Sequence, residues 1–239
     1  MRNSRFTLLL GSAFLILTLV PIAEAGSKKV IINKAPVVHK TKTASFKETT
    51  SSLYERLKLS KLGLSVQALE YAYKGYQYLL SKGMLDNPNI ITICDFSQSA
   101  FRKRMYVIDV RRQKLLINTF VAHGRNSGGE YATRFSNRPE SLQSSLGFYV
   151  TERTYSGQHG TSLRIDGKER GFNDRAEDRA IVVHGAPYVG RSLSGRSWGC
   201  PAVPQVQIRK VINVIKNGSC FFIYHPSNTY LHGSRILNS

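Results

Sequence analysis

Acidic residues and cysteines are both scarce in this chain. Fifteen Asp and Glu stand against 34 Lys and Arg in 239 residues, giving a formal net charge of +19. Such an excess attracts polyanions, whether nucleic acid, anionic lipid or acidic wall polymers, and leaves the fold open. Cys94, Cys200 and Cys220 are the only cysteines. They form no CxxC or CxxH spacing, which argues against a structural zinc site. GxGxxG and P-loop glycine patterns are missing too, so the usual nucleotide cradles are not expected. There is no internal repeat and no metal-carboxylate cluster, and the latter removes the main support for a basic secreted nuclease.

Long apolar runs are also lacking, with one exception at the start. "MRNSR" is a short basic region, and residues 6–20, "FTLLLGSAFLILTLV", are apolar. "PIAEA" then places small residues at Ala23 and Ala25, an A-x-A-like cleavage site. The run falls short of the ~20 residues of a spanning helix. The expectation is a cleavable signal peptide over 1–25, the alternative being an uncleaved anchor. Export to an oxidising compartment demotes nucleic acid as a partner. It also leaves at least one of three cysteines unpaired or bridged to another chain.

Residues 26–50 are rich in Lys and Thr without a sustained period, and read as a flexible basic linker. Such a tail is solvated, or tethers the protein to an anionic wall or membrane surface. In residues 51–85 helical spacing appears. Val66, Leu69, Tyr73, Tyr76 and Leu80 recur at three and four residues, with Ser65 as cap and Gly83 as stop. Beyond these, "NIITICDFS", "KRMYVIDV", "KLLINTFVAHG", "LGFYVTE", "TSLRIDG", "AIVVHG" and "SCFFIYHP" read as strands, the second and third forming a hairpin. One later helix is expected at "PQVQIRKVINVIKNG", with Val206, Val211, Ile212 and Ile215 inward and Gly218 ending it. The fold class is therefore mainly β (α+β), with a catalytic domain over 86–226 and a tail over 227–239.

The stretch "GRSWGCPA" holds Cys200 between Gly199 and Pro201, two places after Trp198, the only tryptophan. A cysteine nucleophile needs a base for its proton and donors for the oxyanion it creates. His184, at the end of the apolar strand "AIVVHG", can be the base. The amides of Gly199 and Cys200 can face one oxygen, and Gly199 allows close approach. Pro201 stiffens the exit from the turn, and Ser197 can orient His184 or a substrate carbonyl. On these residues alone two readings stand: a Cys–His pair, or a buried cysteine near an unrelated histidine. The order His before Cys is the reverse of a papain-like protease. Cys94 and Cys220 read as core strand residues, and His159 either lines the cleft or sits in a turn.

His184-Gly185, a loop and Ser197-x-Gly199-Cys200 together resemble the signature of YkuD-type L,D-transpeptidases. "VAHGRNSGG", "ATRFSNRPESLQSSLGFYVTERTYSGQHG", "IVVHGAPYVG" and "GRSWGCPAVP" are similar to one branch, the murein L,D-transpeptidase catalytic-domain family of Gram-negative bacteria. The likeness runs from about Leu64 to Pro226. It implies a β-sandwich or barrel catalytic fold, periplasmic location, and no metal or cofactor. It also implies a Cys200 acyl-enzyme formed on the diaminopimelate carbonyl of a peptidoglycan stem peptide, with D-Ala leaving. Where the broader group often has His and then Arg or Asn, this chain has Trp198 and Ala202. Arg191, Arg196, Arg125 and His123 are the candidates to hold substrate instead. Water as acceptor would make the enzyme an L,D-carboxypeptidase. A rival of another class is a non-catalytic murein-binding protein, which the intact His184, Ser197, Gly199 and Cys200 set argues against.

The leader reading is checked by N-terminal sequencing of exported protein, which should begin at Gly26. A full-length product held in the membrane would reject it.

Overall fold

The computed structural model describes residues 38–190 and 197–239. The expected signal peptide, the first half of the expected linker, Arg191 and Arg196 lie outside the described residues. Among the described residues the chain is mostly β-sheet with four α-helices and one 3₁₀ turn. None of these helices is long and apolar enough to cross a membrane.

The strands are β1 (Ile90–Asp95), β2 (Met105–Asp109), β3 (Lys114–Thr119), β4 (Gly147–Gly157), β5 (Gly160–Gly167), β6 (Val182–Ala186), β7 (Ala202–Pro204) and β8 (Cys220–Tyr224). Seven were expected from their β-branched and aromatic runs; β7, inside "GCPAVP", was not. They form one sheet in the order β3-β2-β1-β8-β4-β5-β6-β7. The β1–β8 and β6–β7 pairings are parallel. Past the end of β3, the Ala122 N–H donates to the Ala202 carbonyl at 2.8 Å. This bridge joins the first strand's continuation to the last strand and nearly closes the sheet into a barrel, so few strand edges stay open.

Helix α2 (Val66–Ser81) starts where expected: the Ser65 hydroxyl accepts the Ala68 N–H at 3.1 Å. Gly83, at φ +64°, turns the chain after its end. Its buried face, however, is Ala68, Leu69, Ala72, Gly75, Tyr76 and Leu79, while Val66 and Leu80 are exposed. The expected stripe is rotated because the smallest residues, not the largest, sit closest to the sheet. A Cβ on Gly75 would lie 2.0 Å from the Phe148 ring of β4. Helix α3 (Ile208–Ile215) buries Ile208, Val211, Ile212 and Ile215, whereas Val206 stands outside the helix at 92% exposure. Phe148 faces α2, and Thr151, an odd number of residues on, donates its hydroxyl to the Ile215 carbonyl of α3 at 2.6 Å. The alternation of strand side chains thus puts the two helices on opposite faces.

Both ends depart from the sequence reading. Helix α1 (Val38–Arg56) takes in residues 38–50 of the expected linker. Its sequence lacks an apolar period, and packing holds it: Leu53 is buried, and the Phe46 ring lies 5.7 Å from Tyr73 of α2. The expected C-terminal tail contains α4 (Asn228–Gly233) and buries Tyr230, Ile236 and Leu237. Glu169 is the anchor. Its carboxylate accepts the Tyr230 hydroxyl and the Phe148 N–H, both at 2.8 Å, and the Ser234 hydroxyl.

Gly75→Ala tests the α2 contact. Overpacking costs up to about 3 kcal/mol, against about 1 kcal/mol gained in helix propensity. The variant should therefore unfold at lower urea concentration; an unchanged or raised midpoint would contradict this packing.

Candidate active site

Strand β6 carries His184 toward the site. A Cβ on Gly185 would meet Ile208 of α3 at 3.0 Å, so position 185 faces α3. His184, its neighbour, points to the opposite face. The ring is 4% exposed, and its Nδ1 lies 3.0 Å from the Gly185 carbonyl oxygen. A carbonyl only accepts, so Nδ1 bears the proton and Nε2 keeps its lone pair in the neutral ring. Burial holds the His184 pKa below the ordinary value of 6.5; the Gly185 bond opposes this, and His159 adds to it.

His159 sits in the two-residue turn of the β4–β5 hairpin and also covers the His184 ring. The two imidazoles stack with centroids 4.4 Å apart and planes 23° from parallel. A register shift between Thr151 and Thr154 places an extra residue in β4, and bulges of this kind bend a strand.

Cys200 arrives from the neighbouring strand. In the parallel β6–β7 pair His184 stands opposite Ala202, so Cys200, two residues earlier, comes beside Val182. Its thiol donates to the Ala180 carbonyl at 3.7 Å. Burial pushes the thiol pKa up; the Val182 N–H, the Arg179 charge and its own N–H pull against that. Ala180 itself has φ +50°, a left-handed conformation unusual for a residue with a side chain. Among the described residues no hydrogen bond joins Sγ to the His184 ring.

The turn before Cys200 is fixed from behind. Gly199 has φ +120°, and a Cβ there would lie 2.7 Å from the Gln143 carbonyl oxygen and 3.2 Å from Arg179 Nη2. Its N–H donates to the Ser197 hydroxyl at 3.3 Å. Ser197 therefore helps hold the turn, and the Gly199 amide is engaged. The Gly199 carbonyl accepts the Ser144 hydroxyl at 3.0 Å, and that hydroxyl accepts the Gly124 N–H at 3.0 Å. Because the C=O and N–H of one peptide point in opposite directions, pinning this carbonyl aims the Cys200 N–H the other way.

The other residues nominated from sequence lie differently. Arg125 joins the site through its backbone, its N–H donating to the Ser197 carbonyl at 2.7 Å, while its side chain is exposed. His123 is fully buried. Its Nδ1 accepts from Arg104 Nη2 at 2.7 Å, and burial and that cation bring its pKa to about 4. Trp198 is 72% exposed beside the turn. Ala202 packs its methyl with Ala122, Ala186 and Val189; a polar side chain there would be buried. Sequence reasoning missed Ser144 and Arg179. Ser144 lies in a stretch that carries the family likeness but is an ordinary serine there, and a lone Arg before a strand reads as solvated. No cluster of metal-ligating side chains occurs among the described residues.

A family model described as the L,D-transpeptidase catalytic domain matches residues 60–224. Similar solved structures include an L,D-transpeptidase from Mycobacterium smegmatis, with 11% identity and TM-score 0.37 over 57% of this chain and 59% of that one. One from Mycobacterium tuberculosis has 16% identity and TM-score 0.35 over 57% and 58%. One from Xylanimonas cellulosilytica has 13% identity and TM-score 0.35 over 77% and 93%. The first two are thus spanned over less than two thirds of their length. Among curated proteins no sequence matches significantly.

The stacked pair yields a pH prediction. His159→Ala removes the stacked imidazole and part of the cover, and both depress the His184 pKa. The His184 midpoint, followed by NMR over the acidic range, should start below 6.5 and rise in the variant. An unmoved midpoint would show that the stack does not shape the base.

Proposed function

Since the chain belongs to the L,D-transpeptidase catalytic-domain family, we propose that it is a cysteine acyltransferase acting on peptidoglycan stem peptides. The carrying observation is the arrangement of β6 and β7. Their register brings the Cys200 turn beside the strand of His184, whose Gly185 bond leaves Nε2 free to take a proton.

In the proposed cycle, Nε2 of His184 takes the Cys200 proton as the sulfur attacks the diaminopimelate carbonyl of a tetrapeptide stem. The tetrahedral oxyanion is met by the Cys200 N–H. Collapse breaks the peptide bond, and the imidazolium returns its proton to the departing D-Ala amine. The thioester that remains is attacked by the side-chain amine of a neighbouring stem's diaminopimelate. That step releases the thiol and forms the cross-link. Ser197 and Gly199 hold the turn. The exposed Arg125 side chain and Arg191 and Arg196 are offered as partners for substrate carboxylates. The reaction is placed in the periplasm, after loss of residues 1–25, with the remaining Lys-rich segment drawn to the anionic wall.

The test is incubation of the mature protein with disaccharide-tetrapeptide, followed by mass spectrometry. Cross-linked dimers support transpeptidation, tripeptide alone means that water is the acceptor, and unchanged substrate favours binding without chemistry. Cys200→Ser should abolish nearly all turnover, and His184→Ala should lose ~10²–10⁴-fold, the usual contribution of catalytic proton transfer. Full activity in Cys200→Ser, or an acyl group mapped to Cys94 or Cys220, would overturn the assignment.

A further inference from the structure

Arg179 lies at the end of the segment leading into β6, immediately before Ala180, whose carbonyl receives the Cys200 thiol proton. Its guanidinium turns inward and spends its terminal donors on neutral groups of one segment, residues 136–145. Nη1 donates to the Ser136 carbonyl at 2.7 Å and to the Ser145 hydroxyl. Nη2 donates to the Gln143 carbonyl at 2.6 Å and the Ser141 hydroxyl at 3.2 Å. No carboxylate pairs with it: among the described residues the ion pairs are Arg112–Asp109 and Lys168–Asp166.

Two consequences follow. First, the segment that Arg179 ties together carries Ser144, which holds the Gly199 carbonyl, and Gln143, whose carbonyl fills the space behind Gly199. Second, a guanidinium is permanently charged, so a half-buried positive charge stands behind the nucleophile with no anion to cancel it. Burying a cation without a carboxylate is costly. A wall built only for stability would be served as well by neutral donors.

The structure assigns Arg179 as a positioning residue for Cys200: it fixes the wall behind the Gly199–Cys200 turn and supplies the positive charge that favours the thiolate over the thiol. This rests on Cys200 being the nucleophile. The other titratable groups around the thiol are His184 on β6 and Tyr188 just beyond it; Tyr149 of β4 faces Arg179 from the far side. Burial raises the pKa of both tyrosines, which stay uncharged. His184 is held neutral. Arg179 is therefore the fixed charge acting on Cys200 among the described residues. Its terminal donors are already engaged, so it acts on the sulfur by its field and does not depend on binding substrate.

The readout is the pH dependence of Cys200 alkylation by iodoacetamide, located by peptide mass spectrometry. It needs no turnover. Arg179→Gln removes the charge and should raise the alkylation midpoint by about one pH unit, the lower end of the effect of a nearby opposite charge. Arg179→Lys keeps the charge and should leave the midpoint near the native value, even if lost hydrogen bonds lower its melting temperature. A folded Arg179→Gln with a native midpoint overturns the assignment, as does an equal shift in both variants, which would mark a purely structural clamp. If both variants fail to fold, the native protein decides. Its ratio of iodoacetate to iodoacetamide reactivity at Cys200 should exceed that of a small free thiol, since a cation draws the anionic reagent; an equal or lower ratio overturns the proposal. Native protein that alkylates as expected but forms no acyl-enzyme with tetrapeptide would instead defeat the proposed function and leave the charge effect standing.

Discussion

The parallel pairing of β7 with β6 is the constraint on which the site depends. It sets His184 opposite Ala202 and so brings Cys200 alongside Val182. The pairing spans only Ala202–Pro204 and would be weak by itself. It is secured from the other side, where Ala122 exchanges backbone hydrogen bonds with Ala202 in both directions. The contact that nearly closes the barrel therefore also fixes the position of the candidate site. Ala202 serves both, and its small side chain is required because it is enclosed by Ala122, Ala186 and Val189. That enclosure gives a physical reason for the absence of a polar residue at this position.

The loop between β3 and β4 is held by buried polar groups. Arg104 is fully buried and donates to the Val121 and Gln98 carbonyls and to His123, with its guanidinium 4.8 Å from the Phe96 ring centroid. Its pKa falls to about 10 through burial, which leaves it charged at neutral pH. Ser127 accepts the Ser144 N–H, and Ser144 passes the chain on to Gly199. Each of these donors has an acceptor, several of them supplied by the loop itself, which is how irregular backbone becomes rigid when enclosed. The same serine chain carries that rigidity from the barrel wall to the Gly199–Cys200 turn.

Strands with clear β-branched and aromatic runs were legible in the sequence, as were the cap and stop of α2. Cys200 and His184 were legible as candidates because one is a scarce cysteine between Gly199 and Pro201, the other ends an apolar strand before Gly185, and their spacing resembles a family signature. The rest depended on contacts distant in sequence. Helix α1 has no apolar period, and its support comes from distant contacts: Phe46 on Tyr73 of α2, the buried Leu53, and the Tyr54 hydroxyl donating to the Leu64 carbonyl. The C-terminal segment looked like a tail because its anchors are sparse and their acceptor, Glu169, is 61 residues from Tyr230. The parts played by Ser144 and Arg179 were hidden for the same reason. Their types are ordinary, and only the fold brings them behind Gly199. His123 sits within a stretch that resembles the family, yet its environment makes it a buried acceptor for Arg104.

Burial gives the two central groups opposite shifts with one result. It lowers the His184 pKa and raises that of Cys200, so both favour the uncharged pair. A thiolate–imidazolium pair at rest would need the reverse. The thiol donates a hydrogen bond to the Ala180 carbonyl, which also favours the protonated sulfur. In the proposed cycle charge must then be created during reaction, and the Cys200 N–H, aimed by the pinned Gly199 carbonyl, is the donor offered for it.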